Sequence, residues 1–240
     1  MAKKIIKAAF YLVVASLMLA KPALANVPTG AATTYNVTMK KLELCATGSS
    51  IDATGNSAPE CSNPFVIGNS TRAFDIAGVS AGADLGSYGT ITGMTVGTIY
   101  THVRMTLSRT FSIAGNILDM GCRTESTDTH ASTTSPGQGV FDTDPGTSQT
   151  LVIGDIGAWG GGNPTQEEYW QHGLDLAGDD FTYMVQLTTP FAVVATMPDI
   201  RVSFNTQTGL SGTTNGEVCF LYPNYPSIDI TVTGGSAPPT

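Results

Sequence analysis

Alternation of apolar and polar residues constrains this chain more than any other feature. Val103, Met105, Leu107, Phe111 and Ile113 share one parity, with His102, Arg104, Thr106 and Ser108 on the other. A period of two places one set on one face of an extended strand and the second set on the opposite face. Phe181, Tyr183, Val185, Leu187, Phe191 and Val193 repeat the pattern, bent at Pro190. Ile200, Val202 and Phe204 make a third run, and Ile228, Ile230 and Val232 a fourth. Weaker strands are expected at Ala73–Ile76, Ile91–Val96, Leu151–Ile156 and Val218–Tyr222. A helical period is confined to one turn, Gln166–His172, after Asn163-Pro164. Short alternating runs cut by Gly, Pro and Asn predict an all-β fold. The expected form is an antiparallel β-sandwich, Ig-like in the broad sense, with long polar loops. A membrane β-barrel is the structural rival. Its strands run to about ten residues, whereas these are shorter and the sequence closes on Pro-Pro-Thr.

The alternation slips once. Tyr35, Val37 and Met39 occupy odd positions, Leu42 and Leu44 even ones, so a β-bulge or a change of sheet is expected across Lys40-Lys41. Residues 26–34 are expected to form a flexible arm, 35–234 a single β-sandwich domain and 235–240 a tail. Residues 124–149, rich in Ser, Thr, Asp, Pro and Gly, are expected to be a long exposed loop.

The first 25 residues carry a different pattern. Lys3, Lys4 and Lys7 make a basic start, Ile5 to Ala20 is apolar and mostly free of charge, and Ala23-Leu24-Ala25 offers a small-x-small cleavage site. This is the layout of a secretory signal peptide, and the run falls short of a membrane span. Export to the extracellular space, the cell surface or the periplasm is expected, with no transmembrane segment in the mature chain. Eleven basic residues less the four lysines of the leader leave seven. Against 19 acidic residues, that is a formal net charge of −12. Such a surface repels phosphate backbones, so nucleic acid is not an expected partner.

Export also determines how the cysteines are read. Four of them, Cys45, Cys61, Cys122 and Cys219, imply two disulfides in an oxidising compartment. Three pairings exist. Cys45–Cys61 with Cys122–Cys219 is favoured. The first closes an irregular polar loop, and the second ties an early strand to a late one. A zinc site lacks any C-x-x-C spacing.

Sites of chemistry are sparse. Gly78-Val79-Ser80-Ala81-Gly82 matches G-x-S-x-G, but the following residues lack the helix that a nucleophile elbow needs. His102, His130 and His172 are scattered and are read as exposed and without a catalytic role. Asp142 with Asp144, and Asp175 with Asp179 and Asp180, are acidic loop pairs of the type calcium uses, without EF-hand spacing. Trp159, Tyr169 and Trp170 surround a glycine-rich stretch and are the candidate ligand-binding residues. The competing reading is that these rings cap the core.

Taken together, these residues point to a non-enzymatic structural or adhesive protein without a cofactor, a filament or matrix subunit. The expected partner is a second copy of the chain, met through the N-terminal arm, or a surface glycan. A carbohydrate- or ligand-binding module is the first alternative. A secreted hydrolase acting through Ser80 is the second.

Overall fold

The computed structural model describes residues 27–78, 93–127, 131–156, 165–194, 199–224 and 227–233. In chain order the strands are β1 (Thr29–Gly30), β2 (Ala32–Ala46), β3 (Phe65–Gly68), β4 (Arg72–Asp75), β5 (Ile99–Ser108), β6 (Thr110–Ile117), β7 (Cys122–Arg123), β8 (Gly137–Phe141) and β9 (Gln149–Val152). After helix α1 (Gln166–Gln171) come β10 (Leu174–Ala177), β11 (Asp180–Ala192), β12 (Asp199–Asn205), β13 (Leu210–Thr214), β14 (Cys219–Pro223) and β15 (Ser227–Thr233). Every pairing among the described strands is antiparallel. The chain is therefore all-β and antiparallel. One sheet holds 13 strands, and β12 and β15 pair separately.

The alternating runs become the spine of the fold. β5 pairs with the second half of β2 and β6 with its first half. Residues 99–117 thus behave as one long ribbon kinked at Arg109. Val103, Met105, Leu107, Phe111 and Ile113 are all buried, so parity persists through the kink. The slip at Lys40-Lys41 is a register shift: Met39 faces Leu107 while Lys41 faces Thr106, leaving Lys40 as the extra residue. Tyr35 and Val37 before the bulge, and Leu42 and Leu44 after it, are all buried. The bulge absorbs the phase change and keeps both halves of β2 apolar-inward.

The other flank of β2 carries β3 and β4, while β11 and β9 flank β5 and β6. Aromatic contacts cross these ladders. Tyr35 meets Phe111 edge-on at 5.5 Å, and Phe111 meets Phe181 at 6.1 Å.

At the opposite end the pairing closes on itself. β6 pairs β7, β7 pairs β8, β8 pairs β14, β14 pairs β13, and β13 pairs β1. β1 continues into β2 after Ala31, and β2 pairs β6. The circuit returns to its start through the β1–β2 connection at Ala31. Its interior is apolar: Ile117, Leu151, Leu210 and Leu221 are fully buried. Glycines make the tight curl possible. A Cβ at Gly139 would lie 2.3 Å from the Arg123 carbonyl oxygen and 2.4 Å from Leu221 Cδ1.

Both disulfides have the expected pairing, Cys45–Cys61 and Cys122–Cys219. The second reports the curl directly. Cys122 and Cys219 sit on the two strands that flank β8, which in a flat sheet lie roughly 9.5 Å apart. Their Cα atoms are 6.0 Å apart. In the chain-entropy view the short loop contributes about 3 kcal/mol and the long one about 4.7 kcal/mol.

Three expectations about the chain path are corrected. The arm over 26–34 is strand from Thr29 onward, held by β13 and β6. Residues 124–149 are not a continuous loop: β8 lies within them and closes the ring, and Thr124 and Gln149 are buried. The polar composition is accommodated by hydrogen bonds. Thr124 Oγ1 donates to the Thr147 carbonyl at 2.7 Å, and Gln149 Nε2 donates to the Gln138 carbonyl at 3.1 Å. The strand expected at 91–96 is not formed over Gly93–Val96, where Gly93 and Gly97 take positive φ and Val96 is exposed. Residues 91–92 lie outside the described residues, as do residues 1–25, expected to be a leader, and 235–240, expected to be a tail.

Candidate functional site

Helix α1 positions two of the three candidate ligand-binding residues. Thr165 caps it: its hydroxyl accepts from the Glu168 N–H, and the Glu168 carboxylate accepts from the Thr165 N–H. This capping box accounts for a stable single turn in an otherwise β sequence. Tyr169 faces inward and is 2% exposed. Burial pushes its phenol up to about 12. It is a core residue and offers no face for stacking on a ligand, which corrects its assignment as ligand-binding. Trp170 is half-buried, and its indole N–H donates to Asp175 Oδ1 at 2.8 Å. Trp159 lies outside the described residues.

The other candidates do not gather. Ser80 and His130 lie outside the described residues. His172 is the exposed C-cap of α1. His102 was expected on an exposed face but is 7% exposed. It sits between Cys45 of β2 and Gln186 of β11 in the register, so strands on both sides cover it. Burial lowers its pKa and favours the neutral ring, whose Nδ1 lies 2.9 Å from the Thr101 hydroxyl.

The acidic pairs are engaged with the scaffold. Asp142 Oδ2 accepts from Arg123 Nε at 3.1 Å, and its other oxygen accepts from the Asp144 N–H. That backbone bond first, then Arg123, holds the Asp142 carboxyl below its usual range. Asp180 pairs with Lys40, and Asp175 accepts from Trp170. Among the described residues, no group of three or more His, Cys, Asp or Glu side chains is arranged to hold a metal ion.

Two ionic clusters escaped the reading by motif. Glu43 is 2% exposed and accepts from Lys41 at 2.6 Å and Arg104 at 2.9 Å. Burial acts to raise its pKa, but the two cations outweigh it and hold the carboxyl below its usual value. Arg109, 5% exposed, sits at the kink between β5 and β6. Its Nε and Nη2 donate to the Ile153 carbonyl, its Nη1 to the Gly178 carbonyl, and Nη2 pairs with Asp155 Oδ1 at 2.8 Å. The guanidinium hydrogen bond holds the Asp155 carboxyl below its ordinary range. One signal was available in the sequence. Arg109 continues the apolar parity 103, 105, 107, 111, 113, and a cation on a buried face requires several acceptors.

The fold and these clusters define a class, a disulfide-bonded all-β protein whose described ionic groups link strand to strand. Two formed disulfides indicate an oxidising environment, extracellular or periplasmic. No helix among the described residues is long and apolar enough to cross a membrane. Compared with known proteins, the chain matches no family model, no curated protein and no solved structure.

Proposed function

We propose that this is an exported, non-enzymatic structural or adhesive protein that serves as a subunit of an extracellular filament or matrix. One observation carries the reading: the buried and half-buried charged groups act as cross-strand pins. Glu43 and Arg104 join β2 to β5, Arg109 joins the β5–β6 kink to the ends of β9 and β10, and Arg123 joins β7 to Asp142. Two disulfides add covalent links, one from β2 to the Cys61 loop and one from β7 to β14. Such a scaffold resists local opening and proteolysis, the property a persistent surface protein needs. The leader at 1–25 and the acidic mature chain fit delivery outside the cell.

The test is the assembly state of the natively secreted protein, by sedimentation and negative-stain electron microscopy. Filaments or sheets are expected. A monodisperse monomer at all concentrations that binds neither cells nor matrix overturns the proposal. Trp170, half-exposed beside Asp175, supports the narrower glycan-binding alternative. Quenching of its fluorescence on a glycan titration is the outcome that reading requires.

A further inference from the structure

β1 and the first half of β2 close the ring, and they do so from the amino end of the folded unit. Thr29 and Gly30 pair with Ser211 and Leu210 of β13. Ala32–Asn36 pair on the other side with residues 115–112 of β6. β13 has β14 and β1 as its hydrogen-bonded neighbours, so among the described strands β1 alone joins it to the β6 side. Without this segment, β6 and β13 would face each other across an unfilled slot.

The slot is shaped for this segment. A Cβ at Gly30 would lie 1.9 Å from the Asn116 carbonyl oxygen, and one at Gly115 would lie 2.4 Å from that of Ala31. The backbones are in direct contact, so only a strand with glycine at that position seats fully. Side chains anchor the segment as well, Tyr35 most of all, which packs edge-on against Phe111, and Asn36–Met39 also pair with β4. Ala32, Tyr35 and Val37 are buried, and the Tyr35 hydroxyl donates to the Asn224 carbonyl at 2.9 Å. A terminal strand held in this way withdraws without threading the chain through itself. The Lys40 bulge that follows interrupts the β2–β5 ladder, and bending there would release the Lys40–Asp180 ion pair.

We propose that in the assembled protein Thr29–Asn36 of one copy fills the β6–β13 slot of the next copy, with the Lys40 bulge as the hinge. This deepens the filament reading and rests on it. The contacts made between copies reproduce those made within one, so the slot's geometry already specifies the partner. Head-to-tail exchange propagates an open chain, whereas reciprocal exchange stops at a dimer. Val27 and Leu118, exposed at 45% and 65%, both flank the Thr29–Gly30 end of the segment and become junction residues.

A Thr29→Cys/Ser211→Cys variant of the mature chain tests this, because the two positions are register partners. Assembly followed by oxidation is expected to give a ladder of disulfide-linked dimers, trimers and longer species on a non-reducing gel, holding more than half of the protein. Filaments whose new disulfide is wholly intrachain overturn the exchange and leave the filament reading intact. Absence of assembly in the unmodified chain overturns both. Because added cysteines can mispair with the native four, a peptide spanning Val27–Met39 provides a second test on the unmodified protein. In large excess it is expected to reduce polymer mass at least fivefold by filling the slot. Unchanged polymer mass overturns the exchange.

Discussion

Single residues carry more of this fold than motifs do. Arg109 supplies one buried guanidinium to two carbonyls and a carboxylate. Hydrogen bonds to a charged group contribute about 1.5–3 kcal/mol, and their loss leaves acceptors unsatisfied. Arg109→Met is therefore expected to destabilise by about 2–3 kcal/mol, read as a lower urea midpoint. Arg109→Lys should recover little of this, because an ammonium lacks the fork that spans Ile153 and Gly178. His102 makes stability depend on pH. Its folded pKa lies below the unfolded value of 6.5, so the unfolded chain takes up the proton first. Its contribution is complete above that value and is lost as pH falls below it. The denaturant midpoint should fall from pH 7.5 to 5.5, and His102→Gln should flatten that slope. A slope unchanged in the variant excludes His102 as its source. Glu43 acts in a lower window: its depressed pKa contributes stability above 4.5 that disappears on further acidification.

At the scale of elements, parity was legible and closure was not. The strands centred on 103–113, 181–193, 200–204 and 228–232 follow from alternation, and β5, β6, β11, β12 and β15 occupy those stretches. The Lys40 bulge was legible as well, as a slip in that alternation. β8 (GQGVF) and β13 (LSGTT) were not, because glycines and polar residues dominate them and their few large apolar side chains do not alternate. Their glycines are needed for close approach across the curl. Gly139→Val is expected to cost at least about 2 kcal/mol, lowering Tm by roughly 4–8 °C. The helix signal was local and therefore readable. Thr165→Ala removes the cap and should weaken α1 by about 1 kcal/mol, detectable as a change in Trp170 fluorescence with little shift in global Tm.

For the whole molecule, the two disulfides do different work. Cys45–Cys61 closes a separation of 16 residues at the end of β2, whereas Cys122–Cys219 closes 97 and holds the curled end of the sheet. Replacing Cys122 and Cys219 by Ser should therefore lower stability more than replacing Cys45 and Cys61, by roughly 1–2 kcal/mol in the loop-entropy view. Paired urea melts measure the difference. The candidate site was the least legible part. Tyr169 and His102 looked available in the sequence but are buried, since exposure depends on which strands and turns pack over a residue. The sequence by itself determined the all-β class, the alternation of the main strands, the bulge and the number of disulfides, because each rests on residues near one another or on a count; which cysteines pair was decided by the fold. Only the tertiary structure decided that the amino-terminal segment is a paired strand, that Arg109 and Glu43 are buried ions, and that the sheet closes into a ring. Those features come from contacts between distant segments, whose free energy exists only once the whole sheet has assembled.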